Sequence, residues 1–290
     1  MIKNIVYNFS LHFLGVVREF YYLVVKNFSP KRHKASAELI DIVIPIVEKD
    51  LQILPLSLKG IKSCVNHSIK NIYVVSRLNE NVQKFCAENA LVFVDEKDVL
   101  GYIPEDLNLI IGKKETNRSG WIFQQLLKLS GNIGTCRYFI TIDADHVLIQ
   151  PHTFLTKSDN LIFYRNKQCH KAYYRNIVQL MDIRPFTILS YVSHKMIFDK
   201  ELLKELHKNI EDRWHQPWDK AIIQSLDKKE GSGFSEFELF GNFCPANRKK
   251  HIAWREKKLH YSDFDSYENI RKRFSKSYLS VTFPDYLKNK

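Results

Sequence analysis

Large apolar side chains crowd residues 2–28, but Lys3, Asn4, Asn8, Ser10, His12, Arg18, Glu19 and Lys26 interrupt them. No run of about 18 apolar residues survives, so a membrane-spanning helix is not predicted. The spacing suits an amphipathic helix with a wide apolar face. The basic cluster Pro30-Lys31-Arg32-His33-Lys34 follows directly. An apolar face beside cations can bind an anionic bilayer surface. The same face could equally close the protein's own core or meet a second subunit.

From residue 41 the rhythm changes. Asp41-Ile42-Val43-Ile44-Pro45-Ile46-Val47 reads as a buried strand, and residues 50–66 carry helical spacing. Asn71-Ile72-Tyr73-Val74-Val75-Ser76 is a second strand, residues 79–89 a helix, and Leu91-Val92-Phe93-Val94 a third strand. Residues 119–130 predict a strong helix with Ser119 as its cap, and Tyr138-Phe139-Ile140-Thr141-Ile142-Asp143 another buried strand. Short apolar strands alternating with helices predict an α/β fold: a mostly parallel central sheet covered on both faces. Such sheets bind ligands beyond the carboxyl ends of their strands. Further on, residues 188–198 read as a strand pair or one long strand, and residues 199–210 and 217–227 as helices. Residues 246–290 read as a basic extension. The expected organisation is thus an amphipathic segment at 1–35, a core at 36–245 divided near 150, and helical extensions at both ends.

Composition narrows the field only a little. The 290 residues carry a net charge of +12, which favours anionic partners without choosing among them. Five scattered cysteines without a CxxC pair argue against a disulfide framework or a structural zinc site and suit a reducing cytosol. No A-x-A cleavage signal directly follows the apolar run (Ala35-Ser36-Ala37 lies beyond the basic cluster), and no P-loop, H-E-x-x-H or Rossmann fingerprint is present.

The chemistry concentrates at Asp143-Ala144-Asp145, directly after a buried strand. On an extended chain, residues two apart point the same way, so both carboxylates can face one divalent cation. An ordinary polar turn is the plainer alternative. Glu236 and Glu238 lie two apart in an aromatic segment; if extended, they share a face, and burial would raise a glutamate toward useful basicity.

Ile42-Val43-Ile44-Pro45, Tyr73-Val74-Val75-Ser76 and Asp143-Ala144-Asp145 together resemble the nucleotide-sugar glycosyltransferases of the GT-A fold, which is Rossmann-like. The blocks Arg118-Ser119-Gly120-Trp121-Ile122-Phe123-Gln124-Gln125-Leu126-Leu127-Lys128-Leu129 and Ser235-Glu236-Phe237-Glu238-Leu239-Phe240-Gly241-Asn242 are similar to segments of bacterial transferases encoded with surface-polysaccharide genes. The resemblance spans roughly residues 38–245. It implies Mn²⁺ or Mg²⁺ on Asp143 and Asp145, with His260 as a third ligand. It also implies a nucleotide-sugar donor and a lipid-linked or oligosaccharide acceptor in a growing lipopolysaccharide, capsule or related glycan. Pro45, Asp50 and Ser76 would line the nucleoside pocket. Arg118, Gln124, Gln125, Lys128 and Asp143 would meet the rest of the donor. Only one of the adjacent glutamines can face the cleft squarely, so the other is expected to be structural. Glu236 or Glu238 would be the catalytic base, and His194, Trp214 and His215 would face the acceptor. The enzyme would be cytoplasmic and peripheral to the inner membrane, with no nucleic-acid partner. A nucleotidyl- or phosphotransferase on the same fold, or a basic nucleic-acid-binding module, are the competing readings.

Overall fold

The computed structural model describes residues 17, 20, 33–246 and 251–284, with backbone only at 251–255. The amphipathic segment and its basic cluster therefore lie almost wholly outside the described residues.

A five-stranded sheet forms the centre, in the order β3 (Val92–Asp95), β2 (Ile69–Ser76), β1 (Ile40–Pro45), β6 (Tyr138–Ile142) and β9 (Lys195–Asp199). The first four run parallel; β9 is antiparallel to β6. β1, β6 and β9 are buried along their whole length, as expected of strands covered on both faces. Helices α1 (Leu54–Cys64), α2 (Glu80–Glu88), α5 (Ser119–Ser130), α6 (Lys171–Met181), α7 (Lys200–Trp214) and α9 (Glu236–Ala246) supply the cover; short helices at Glu96–Leu100, Pro104–Leu107 and Trp218–Gln224 complete the numbered set as α3, α4 and α8. The mostly parallel α/β sheet flanked by helices is the one the hydrophobic pattern predicts.

Three local expectations are corrected. Ser119 does not cap α5; it is its first residue, and its Oγ instead accepts the Leu109 N–H at 2.9 Å. Residues 188–198 do not form one strand or a pair, because His194 adopts a left-handed φ of 63° and only Lys195–Asp199 is extended. Glu236-Phe237-Glu238 is helical rather than extended, with the hydroxyl of the preceding Ser235 accepting the Glu238 N–H at 3.4 Å.

The C-terminal segment is more than a helical extension. Beyond helix α10 (Tyr267–Phe274), β10 (His251–Arg255) pairs with β8 (Leu161–Arg165). β11 (Lys258–His260) and β12 (Ser280–Thr282) form a small sheet with β7 (His146–Leu148). Tyr267, Ile270, Val281 and Phe283 bury against Ile53, Val147 and Ile149 in a second apolar cluster beside the main core. This cluster sits directly behind the turn that carries Asp143 and Asp145.

Candidate functional site

Strand β6 delivers the chain to Asp143 at the carboxyl edge of the sheet. The chain then turns back: the His146 N–H donates to the Asp143 carbonyl at 2.9 Å, and β7 begins at His146. The two aspartates are therefore brought together by a turn, not by the pleat of an extended strand. The left-handed His194 completes the group, because its carbonyl accepts the Asp143 N–H at 2.9 Å. One ligating atom from each of Asp143, Asp145 and His194 lies within 4.8 Å of the others.

Asp143 is held from both sides. Lys128 Nζ donates to its Oδ1 at 2.6 Å, and His194 Nδ1 stands 2.9 Å from its Oδ2. Burial alone would raise this carboxyl, but the Lys128 ammonium and His194 outweigh burial and hold it well below the usual carboxylate range. Among the described residues no cation makes such a direct contact with Asp145, though His194 and Lys128 act on it from further off. Burial first, and the charge of Asp143 second, push it up to about 6. Two carboxylates and an imidazole, one carboxylate short of counter-charge, fit a hard or borderline divalent ion such as Mg²⁺ or Mn²⁺.

Lys128 reaches this point from α5, where it is only 3% exposed. It also donates to Glu236 Oε1 at 2.8 Å. Burial would lower the ammonium, yet its two carboxylate partners outweigh that and hold it charged. Gln125 fixes the same corner, its Oε1 accepting the Glu236 N–H at 3.2 Å. Gln124 turns to the β1 edge, donating to the Pro45 carbonyl at 3.3 Å. The adjacent glutamines thus divide as the helix requires, with Gln125 buried and Gln124 half-buried.

Glu236 and Glu238 are separated by about 200° on a helix, so they diverge. Glu236 joins Lys128 and Asp143. Glu238 points elsewhere: it accepts the Tyr191 N–H at 3.2 Å and an Asn242 amide hydrogen at 3.2 Å, with the Tyr174 hydroxyl at 3.4 Å. Burial pushes its carboxyl up to about 7, against hydrogen bonds from Ser190 and Tyr191 and the Arg165 charge.

The other expected residues fall around this centre unevenly. Asp50 accepts the Val47 N–H at 3.0 Å and lies close enough for Asp145 to feel its charge. Ser76 closes β2, buried at the same sheet edge. Arg118 stacks on Trp121 at 4.2 Å and reaches Ser232 at 3.4 Å. Expected as the third metal ligand, His260 is not in the three-residue group: it stands on β11 with its ring 6.5 Å from that of His194, which takes the place. Trp214 and His215 serve α7, the former donating to the Leu180 carbonyl at 3.0 Å and the latter capping the helix in a left-handed conformation.

Behind the turn lies a buried polar network that the sequence does not advertise. Lys195, wholly buried, ion-pairs with Glu256 and lies 3.1 Å from His146 Nε2. Glu256 also accepts the Ser280 hydroxyl at 3.0 Å. Burial, then the nearby Lys195, depress His146 far below the ordinary histidine range, so its ring is neutral. A neutral ring can accept from Lys195 at Nε2 and donate from Nδ1 to Thr282 Oγ1, 2.7 Å away. The one available signal was a lysine heading the apolar run Lys195-Met196-Ile197-Phe198, and a lone Glu256 among Arg255, Lys257 and Lys258.

Residues 37–281 match a family of unknown function, DUF6492. The chain belongs to that family. The DUF6492 match extends into β12, taking in Glu256, His260 and Ser280. A search of curated proteins finds no match. Among solved structures, the chain is similar to mouse xyloside xylosyltransferase 1 in its apo form, at 10% identity over 86% of this chain and 98% of that one, TM-score 0.45. It is similar to the galactosyltransferase LgtC with donor and acceptor sugar analogs, at 11% identity over 84% and 87%, TM-score 0.44. A third is glucosyl-3-phosphoglycerate synthase from Mycobacterium tuberculosis with Mn²⁺, uridine diphosphate and phosphoglyceric acid, at 15% identity over 75% and 68%, TM-score 0.39.

Proposed function

We propose that the protein is a metal-dependent GT-A glycosyltransferase that moves a sugar from a nucleotide-sugar donor to a hydroxyl acceptor. The observation that carries this reading is the Asp143–Asp145–His194 group at the carboxyl edge of a mostly parallel sheet, with Lys128 and Glu236 built into it. When bound there, a divalent ion would offset the negative charge of the departing diphosphate. Asp143, Asp145 and His194 would hold it.

The remaining roles belong to the chain's own side chains. Lys128 keeps Asp143 ionised and fixes its direction. In the transfer, the acceptor oxygen bonds to the anomeric carbon, the bond from that carbon to the diphosphate oxygen breaks, and the acceptor proton passes to a base. Glu236, beside Asp143 through their shared lysine, is the better placed of the two glutamates for that proton; Glu238 serves the packing of Tyr191. The β1 and β2 edge at Pro45, Asp50 and Ser76 would take the nucleoside.

The acceptor is a growing bacterial surface glycan in this reading, and the enzyme works at the inner face of the membrane. The blocks around Trp121 and Phe237 support the first part. For the second, the basic amphipathic segment is a sequence argument alone. No helix among the described residues is long and apolar enough to cross a membrane.

The test is a thermal-shift screen of nucleoside diphosphates and nucleotide sugars with Mn²⁺, followed by assay of sugar release and transfer. Stabilisation by one nucleotide only when Mn²⁺ is present, with turnover of its sugar, is the expected result. Pyrophosphate release or phosphate transfer instead would assign a nucleotidyl- or phosphotransferase. Salt-sensitive duplex binding without turnover would assign a nucleic-acid module.

A further inference from the structure

A cavity of about 380 Å³ opens beside the candidate metal group, between β11, the loop after β8 and the turn before β12. Lys167, Lys257, Lys258 and His260 line it, together with Asn166 and Tyr278. Its one acidic lining residue, Glu256, is buried and ion-paired with Lys195. The wall is therefore cationic, and it adds the amides of Asn166 and Gln168 and the phenol of Tyr278, all able to donate hydrogen bonds.

The cavity has a definite position relative to the carboxylates. His260 joins the two, its ring 6.5 Å from His194, which in turn touches Asp143. Lys258 feels the charges of both Asp143 and Asp145. On the other flank, Asp145 feels Asp50, at the β1 edge assigned above to the nucleoside. The sequence of groups is thus Asp50, Asp145 with Asp143, His194, His260 and the lysine cavity. A donor whose nucleoside sits at β1 leaves the cavity on the opposite side of the reacting centre.

We infer that this cavity binds an anionic group of the acceptor, a phosphate monoester or diester attached to the molecule whose hydroxyl receives the sugar. The inference rests on the transferase reading for the word acceptor, and on the cavity itself for the anion. The half-buried ammonium groups of Lys257 and Lys258 bind phosphate oxygens more strongly than exposed lysines such as Lys167 do, because less water competes for them. Phosphate could arrive on a soluble sugar phosphate or on a lipid carrier, and the chemistry of recognition is the same.

Four full-length proteins test it: wild type, Lys167→Gln, Lys257→Gln and Lys258→Gln, each checked for an unchanged far-ultraviolet spectrum. Lys167 is exposed on a loop, so its replacement cannot unfold the core. Binding of inorganic phosphate and of glycerol 3-phosphate is measured by calorimetry without divalent metal. Binding of nucleoside diphosphates is measured separately with Mn²⁺. The expected result is a loss of about tenfold in phosphate affinity for Lys258→Gln, equal to about 1.4 kcal/mol, with a smaller loss for the other two and nucleotide affinity retained. Phosphate affinity unchanged in all three variants overturns the inference. Nucleotide affinity falling in step with phosphate affinity also overturns it, since the cavity would then belong to the donor. A wild type that binds phosphate through these lysines but no nucleotide keeps the anion site while removing the transferase reading. Vesicles containing phosphatidic acid, compared with glycerol 3-phosphate, separate a lipid source from a soluble one; failure of both to bind overturns the inference.

Discussion

Lys128 and Glu236 stand 108 residues apart in the chain, and the ammonium of one lies 2.8 Å from the carboxylate of the other. The same ammonium holds Asp143 at 2.6 Å. One nearly buried cation therefore serves two acids drawn from two different elements; removing it takes the lysine from Glu236 and leaves Asp143 with His194 alone.

Lys128→Met should be strongly destabilising, by roughly 3–5 kcal/mol, because it strands the buried Glu236 carboxylate and takes the lysine from half-buried Asp143. Denaturant unfolding reads the loss. Sugar transfer should fall with it even at low temperature, where the variant is folded. A variant as stable as wild type would show that Glu236 and Asp143 do not depend on this lysine.

Asp145→Asn should abolish stabilisation by Mn²⁺ while leaving the metal-free protein as stable as wild type or more so. Two carboxylates in one half-buried corner repel each other, and an amide removes that repulsion at little steric cost. The measurement is the melting temperature with and without Mn²⁺. An unaltered response to Mn²⁺ would remove Asp145 from the metal group.

Stability should depend on pH through Glu238. Its folded-state carboxyl titrates at about 7, against an ordinary value of 4.5. The folded state therefore binds the extra proton between those values. Stability is full below about pH 4.5, falls as pH rises toward 7, and levels off above it, for a total on the order of 3 kcal/mol. Arg165, Tyr174 and Tyr191 are the charged and titratable groups that face it. Glu238→Gln keeps an acceptor for the Tyr191 N–H and should flatten this slope. A slope that persists in the variant would place its origin elsewhere.

Gly60→Ala pits two effects against each other. Alanine favours the helix by up to about 1 kcal/mol. Yet a Cβ at this point of α1 would lie 2.7 Å from the Leu148 carbonyl oxygen and 2.8 Å from the Leu148 nitrogen, both backbone atoms of β7. Forcing them apart costs roughly 1–3 kcal/mol. The clash should win, lowering the melting temperature and weakening Mn²⁺ response, since β7 follows Asp145 directly.

Much of this was legible in the residues. β1, β2, β3, β6 and the helix at 119–130 show plainly as buried runs or helical spacing, because each carries its own local signal. Asp143 and Asp145 stand out for the same reason: a polar pair ending an apolar strand is a contrast within six residues. The alignment of Glu236 with Glu238 was misread because Ser235 starts a helix there, and period 2 became period 3.6. The place of His194 beside the two aspartates is not legible in the sequence, because no local pattern announces a left-handed residue before a strand. The network of Lys195, Glu256, Ser280 and Thr282 is hidden for a deeper reason. Lys195 heading an apolar run and a lone Glu256 among cations are out of place locally, but nothing pairs them until the chain brings the four together across dozens of positions.

That late gathering has a consequence for how the protein comes into being. The turn at Asp143 to His146 is backed by Thr282, and the Phe283 N–H donates to the Asp145 carbonyl at 2.9 Å. During synthesis the first strands and the acids themselves leave the ribosome more than a hundred residues before the segment that braces them. A nascent chain can lay down most of the sheet and still lack a finished site. Competence for catalysis would then wait for residues 256–283 to emerge, so shorter nascent chains would be folded in outline but silent.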